Sequence, residues 1–96
     1  MALNSKDERL TYILRGRMRC EIYQVLLIGN RTISELSKKT GKSISNISRV
    51  IKQFESYNLV KNLTPSVSKG CIYQLTDIAL ECKPEFEEHM EFQERI

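Results

Sequence analysis

Between Thr32 and Leu59 the chain reads TISELSKKTGKSISNISRVIKQFESYNL, with apolar residues recurring at helical spacing on both sides of a single glycine. Ile33 and Leu36 fall on one stripe before Gly41. After it, at about 100° per residue, Ile47, Val50, Ile51 and Phe54 fall on one side, while Ser45, Arg49, Lys52, Gln53 and Ser56 fall on the other. Thr32 has a glutamate, Glu35, three residues on, the spacing of a capping box. Gly41 is placed to stop the first helix, Ser43 to cap the second, and Asn58 to end it, because Gly and Asn tolerate the left-handed conformation. The segment therefore predicts two amphipathic helices around one tight turn, the second over about 43–57.

The apolar side of that second helix has to pack, which leaves the other side outward. It offers hydroxyls, a guanidinium, an ammonium and an amide, the groups that hydrogen-bond phosphates and base edges. Its one acid, Glu55, sits at the flank. This is the pattern of a helix-turn-helix with a reading face.

The rest of the chain supplies a frame. Ser5 and Glu8 have capping-box spacing and open a short helix carrying Leu10, Ile13 and Leu14 inward until Gly16. A longer helix follows from Arg17 to about Ile28, with Met18, Ile22, Val25 and Leu26 on one stripe, and Gly29-Asn30 stops it. Arg15, Arg17 and Arg19 crowd its start against the positive end of the helix dipole. A phosphate partner would account for them, and so would simple solvation. After Leu59 the period changes: Leu59–Leu63 and Cys71–Leu75 are short runs of strand formers separated by Thr64-Pro65-Ser66-Val67-Ser68-Lys69-Gly70, which reads as a hairpin. Thr76-Asp77 caps a helix to Cys82, and Pro84 starts another. In that last helix Phe86, Met90 and Gln93 share a face, as do Phe92 and Ile96.

Composition narrows the possible functions. Ninety-six residues hold one small core and little room for an enclosed cleft. Residues 1–76 carry 13 Lys or Arg against 5 Asp or Glu, a balance of +8, whereas residues 77–96 carry 2 against 7, a balance of −5. A basic body suits a polyanion, and an acidic tail is repelled by one. The organisation expected is one domain over residues 1–83 and an acidic helical tail over 84–96. Cys20, Cys71 and Cys82 have no C-x-x-C spacing and no histidine pair nearby, so they read as reduced thiols, and no metal or other cofactor is expected. His89 is the single histidine and lies in the acidic tail without a nucleophile at useful spacing. With no G-x-S-x-G elbow and no Gly-rich phosphate loop either, the expectation is a protein that is not an enzyme. The sequence shows neither a membrane span nor a secretory leader, which leads to an expectation of a cytoplasmic protein with no membrane partner.

Three helices from Arg17 followed by a two-stranded hairpin is the order of a winged helix-turn-helix, so the fold class expected is mainly α with a small β-hairpin. Within that order the sequence resembles the ArsR and MarR-like regulators of bacteria and archaea. Thr32-Ile33-Ser34-Glu35-Leu36-Ser37 is similar to their second-helix signature, and Ser43-Ile44-Ser45-Asn46-Ile47-Ser48-Arg49-Val50-Ile51-Lys52 to their recognition helix. Leu63-Thr64-Pro65, Lys69-Gly70 and Tyr73-Gln74-Leu75-Thr76 resemble the wing and following cap of small archaeal members. The likeness covers Arg15 to Ala79.

The resemblance implies a sequence-specific binder of double-stranded DNA that regulates transcription, with the wing over about 60–75. It places Ile44, Ser45, Asn46 and Arg49 at the groove, Thr32, Ser34, Ser43 and Ser48 near phosphates, and Lys61, Ser68 and Lys69 in the wing. Lys42 in the turn and Lys52 on the outer face complete the DNA-binding set. Arg49 has the geometry to bind guanine bidentately, and Asn46 to do so with adenine. Ile44 either meets a thymine methyl or staples the helix start, and Asn46 either reads adenine or is a solvated first-turn residue. Thr40 replaces the buried leucine usual in these regulators, Lys42 replaces a small apolar residue, and the wing is short with few arginines, so backbone contact is expected of it rather than minor-groove insertion. The cysteine-rich metal-binding helix of metal-sensing ArsR members is absent, and no small-molecule ligand is expected. A palindromic site needs two copies, and the terminal helices, Ser5–Leu14 and Pro84–Ile96, are the apolar segments left for a homodimer contact. The alternative function is a winged-helix protein-protein interaction module of a transcription or replication assembly.

Overall fold

The computed structural model describes residues 3–94. In chain order the elements are α1 (Lys6–Leu14), α2 (Arg17–Ile28), β1 (Arg31–Thr32), α3 (Ile33–Thr40), α4 (Ile44–Ser56), β2 (Val60–Asn62), β3 (Ile72–Leu75), α5 (Asp77–Leu80) and α6 (Lys83–Glu94). Each helix expected from the sequence forms within a residue or two of its expected bounds where these fall in the described residues, α5 closing at Leu80 rather than Cys82. Ile96, part of the expected tail stripe, lies outside the described residues.

The caps explain where the helices start. Ser5 Oγ accepts from the Glu8 amide, Ser43 Oγ from the Asn46 amide and Thr76 Oγ1 from the Ala79 amide, at 3.1, 3.2 and 3.3 Å. Each satisfies one of the amides that a first helical turn leaves unpaired. At α3 the box is reciprocal: the Glu35 amide donates to Thr32 Oγ1 (3.2 Å) while the Thr32 amide donates to Glu35 Oε1 (2.9 Å). The accepted hydrogen bonds hold the Glu35 carboxyl below its ordinary pKa.

The core is the space between the packed faces of α2, α3 and α4. Ile22, Tyr23 and Leu26 of α2, Leu36 of α3, and Ile47, Val50, Ile51 and Phe54 of α4 are all buried, joined by Ile13 from α1 and Leu59, Val60, Tyr73 and Leu75 from the sheet segment. Burying a side chain of this size is worth about 1.5–3 kcal/mol, so the inward side of α4 alone fixes that helix firmly. Tyr23 is fully buried, yet its hydroxyl is satisfied, donating to the Ala79 carbonyl at 2.6 Å. Burial pushes its pKa well above the ordinary tyrosine value. Phe86, in the first turns of α6, stacks on the Tyr23 ring at 4.7 Å between centroids. Beside it Lys6 Nζ and Glu85 Oε1 form an ion pair at 2.7 Å, which ties α6 to α1.

The sheet departs from expectation. The hairpin of β2 and β3 forms, with Val60 opposite Leu75 and Asn62 opposite Tyr73, but β1 adds a third antiparallel strand on the other edge of β3, giving the order β1-β3-β2. Arg31 faces Tyr73 and Thr32 faces Ile72 in that register. Two residues are too short to show an alternating period, so this strand left no mark in the sequence. It forms because β3 presents an open edge where the chain leaves α2.

Candidate nucleic-acid interface

The outward side of α4 is as polar as its inner side is apolar. Ser45, Asn46, Arg49, Lys52, Gln53 and Ser56 are exposed, Ser48 is half-buried, and Ile44 is 56 % exposed at the first turn. A shallow trough runs along this face, lined by Ser45, Ser48, Arg49, Lys52, Gln53 and Ser56. Neither Arg49 nor Lys52 is paired with a carboxylate among the described residues, where the ion pairs are Lys6–Glu85 and Arg17–Glu21. Two cations and a row of hydroxyl and amide groups thus stand in solvent on a helix that the core holds in place. That chemistry suits an anionic, acceptor-rich surface.

The turn before α4 is set by hydroxyls. Ser37 Oγ donates to the Lys42 carbonyl (2.6 Å), Thr40 Oγ1 donates to the Leu36 carbonyl (2.7 Å), and the Lys42 amide donates back to Thr40 Oγ1 (3.3 Å). Gly41 sits between them at φ 73°, the left-handed conformation that a helix stop requires. Thr40, where a buried leucine is usual in the regulators the sequence resembles, is therefore a half-buried polar clasp that fixes the angle between α3 and α4. At the far end Asn58 adopts φ 59°, and the Leu59 amide returns to the Phe54 carbonyl at 2.8 Å, closing α4 as the sequence indicates.

The remaining sequence-derived residues fall into separate groups. Thr32, Ser34 and Ser68 are brought together, lining a small cleft between the start of α3 and the hairpin with Ile33, Gly70, Cys71 and Tyr73. Thr32 spends its hydroxyl oxygen on the cap, whereas Ser34 and Ser68 are exposed. Lys61 projects from the exposed position of β2, opposite Gln74, and Lys69 is exposed in the hairpin loop beside Gly70, itself at φ 71°. Neither lysine lines the trough or the cleft. The loop is shaped by Asn62, whose Oδ1 accepts from the Thr64 amide at 2.8 Å, and by Thr64 Oγ1, which accepts from the Ile72 amide at 3.1 Å.

The arginine cluster before α2 divides. Arg15 and Arg17 are exposed, but Arg19 turns back on its own molecule: Nη1 donates to the Tyr12 carbonyl at 2.8 Å, and the guanidinium lies 4.0 Å from the Tyr12 ring centre. Arg19 is thus a structural residue, and the expectation of a phosphate partner for it is set aside. Two residues of the trough, Gln53 and Ser56, were not among the expected DNA contacts, although the helical projection that selects Ser45 and Arg49 also puts them outward. Gln53 has a partner no local pattern could reveal, the Tyr12 hydroxyl at 3.3 Å, 41 residues away.

Among the described residues no group of His, Cys, Asp and Glu is arranged to hold a metal ion, and no helix is long and apolar enough to cross a membrane. Cys20 and Cys82 are buried and Cys71 is half-buried, and all three are free thiols. Burial raises the pKa of Cys20 and of Cys82.

No protein-family profile and no curated protein matches the sequence. Solved structures do match the fold. The homodimeric winged helix-turn-helix DNA-binding domain of Mb0332 from Mycobacterium bovis, described as a possible ArsR-family transcriptional regulator, aligns over 93 % of this chain and 79 % of its own with a TM-score of 0.69 at 17 % identity. Diamide-treated YodB from B. subtilis aligns over 88 % of this chain and 86 % of its own, with a TM-score of 0.70 at 21 % identity. The adhesin competence repressor AdcR from Streptococcus pyogenes aligns over 96 % and 81 %, with a TM-score of 0.63 at 16 % identity. With α3, the hydroxyl-clasped turn, α4 and the β2–β3 hairpin in this order, the chain has the winged helix-turn-helix fold.

Proposed function

We propose that this protein is a sequence-specific, double-stranded DNA-binding transcriptional regulator of ArsR/MarR-like type, with α4 (residues 43–57 with its caps) in the major groove and the wing, residues 60–75, on the flanking backbone. The observation that carries this reading is the outward face of α4: among the described residues Arg49 and Lys52 stand without carboxylate partners beside Ser45, Asn46 and Gln53, on a helix whose other face is buried. A groove reader needs that combination, because base edges are discriminated only by donors and acceptors held in fixed positions. The solved structures of like fold support it, one being described as a DNA-binding domain and another as a repressor.

In this reading Arg49, Asn46, Ser45 and Ile44 meet base edges, while Thr32, Ser34, Lys42, Ser43, Ser48 and Lys52 position the domain on phosphates and Lys61, Ser68 and Lys69 touch the backbone from the wing. Residues 84–96 form an acidic tail that DNA repels. Two copies bind together, a reading supported by the homodimeric state described for the Mycobacterium bovis domain, and the terminal helices supply the contact. Met90 packs against the core, but Phe92 is 62 % exposed on α6 and offers apolar surface for that contact. The dimer would set two α4 helices about 34 Å apart, one turn of duplex.

Titration with random duplex DNA across a series of salt concentrations tests the assignment. A groove binder loses affinity linearly on a double-logarithmic plot as counterion release is suppressed. Selection from a random duplex pool should then return an inverted repeat. Absence of duplex binding even at the lowest salt would reject a DNA-binding role and favour an interaction module.

A further inference from the structure

The first helix lies outside the helix-turn-helix, yet it reaches the reading face. Tyr12 Oη donates to Gln53 Oε1 at 3.3 Å, and the Tyr12 ring is wedged against α4, edge-on to Tyr57 at 4.7 Å and to Phe54 at 6.2 Å between centroids. Tyr12 is itself held from behind. The Arg19 guanidinium caps its ring at 4.0 Å and Nη1 binds its carbonyl at 2.8 Å. Gly16 leaves room for this, since a Cβ there would stand 2.7 Å from Arg19 Cδ. The result is a continuous brace running from the α1–α2 junction to the third turn of α4.

The brace has a chemical consequence at Gln53. A carboxamide is planar, with its oxygen and nitrogen on opposite prongs, so engaging the oxygen from the α1 side turns the two N–H donors the other way. Gln53 lines the trough with Ser45 and Arg49, and it continues their row at i+8 and i+4. Three donor-bearing side chains then form one ridge, the last oriented by a residue from another helix. A free glutamine presents donor or acceptor with equal ease and discriminates poorly, whereas one fixed with its donors outward selects an acceptor oxygen.

Resting on the DNA-binding reading above, we propose that Gln53 is a specificity-determining residue whose N–H donors contact an acceptor oxygen of the duplex, a phosphate or the guanine edge, and that Tyr12 is the positioning residue that holds it so. Burial keeps the Tyr12 hydroxyl protonated to higher pH than usual, consistent with its part as donor.

The test is a double-mutant cycle on the duplex recovered by selection. Tyr12→Phe removes only the hydroxyl and keeps the ring against Phe54, Tyr57 and Arg19. Tyr12→Phe and Gln53→Ala should each weaken binding about 2- to 10-fold, the range of one hydrogen bond, with the double variant no weaker than Gln53→Ala alone. In the free protein Tyr12→Phe should shift the Gln53 side-chain amide resonances and leave the thermal midpoint unchanged. A single methylphosphonate that abolishes the Gln53→Ala effect identifies the acceptor as phosphate, and 2-aminopurine in place of guanine doing so identifies it as O6. Wild-type affinity in Tyr12→Phe, losses that multiply in the double variant, or a Tyr12→Phe defect accompanied by a lowered midpoint and equal across all sequences would each overturn the inference while leaving the DNA-binding function in place. A wild-type protein that binds no duplex overturns both.

Discussion

Helices α4 and α6 are nearly equal in length, 13 and 12 residues, but are built on different terms. The first buries four apolar side chains along its whole length and turns a cationic, donor-rich face to solvent. The second carries five glutamates against one lysine and is held by a few contacts, Phe86 on Tyr23 and the Glu85–Lys6 pair near its start and the half-buried Met90 against the core further on. A helix fixed along one entire side can give the other over to recognition without losing its place. A helix held by a few spaced contacts leaves most of its surface, Phe92 included, to solvent.

The contrast can be broken most forcefully in the core. Phe54→Ala should cost about 3–5 kcal/mol of unfolding free energy, the range for truncating a fully buried aromatic, because Phe54 joins α4 to everything around it. Phe86→Ala should cost less, about 3 kcal/mol at the low end of the same range, since α6 can undock while α2, α3 and α4 stay packed. Urea unfolding of both variants decides the matter, and equal losses would mean that α6 is as integral as α4. Next in size, Arg49→Ala with Lys52→Ala should weaken binding to the selected duplex by about 2–4 kcal/mol, while stability moves by no more than about 0.5 kcal/mol. Fluorescence anisotropy and calorimetry on one sample separate the two readouts. Retained affinity would move the binding face away from α4.

Smaller effects sharpen the picture at the margins of the two helices. Thr32→Ala removes the oxygen that accepts the Glu35 amide and should cost about 1 kcal/mol in thermal unfolding. The last effect is a pH dependence of the α6 anchor. The Lys6 hydrogen bond holds the Glu85 carboxyl below its ordinary pKa, and the same bond raises that of Lys6. A depressed carboxyl contributes stability above its unfolded value and loses it as pH falls through the folded one, while a raised ammonium loses its contribution as pH rises through its folded value. The pair therefore supports the fold through the neutral range and fails first in acid. Because both side chains are about two-fifths exposed, the effect is small and salt-screened. Lys6→Met should unfold slightly earlier than wild type in neutral, low-salt urea and match it in acid. A gap persisting in acid would assign the anchor to packing of the lysine stem.

What could be read from the sequence was local or periodic. The sidedness of α4, the stops at Gly41 and Asn58 and the caps at Thr32, Ser43 and Thr76 all depend on residues within a few positions of each other, and the structure realises them. What escaped depends on distant chain. Strand β1 exists because β3 lends it an edge, and Arg19 folds back onto the Tyr12 ring and carbonyl in space that Gly16 leaves open. The tie between Tyr12 and Gln53 spans 41 positions. At Ser5 the local rule held only in half: the hydroxyl takes the Glu8 amide, but the Glu8 carboxylate meets the serine hydroxyl rather than its amide. The outer-face residues of α4 were legible as a set, while the orientation of any one of them was not.

Thr32 belongs to two structures at once, ending strand β1 opposite Ile72 and capping α3 with Glu35. No spacer separates the two, so a tilt imposed on the hairpin is passed to α3 without slack, and through the clasped turn at Lys42 to α4. On the DNA-binding reading proposed above, wing and reading helix would then not be independent fingers that each settle on their own stretch of duplex. They would approach as one bracket, and a change in groove width felt at one would be felt at the other.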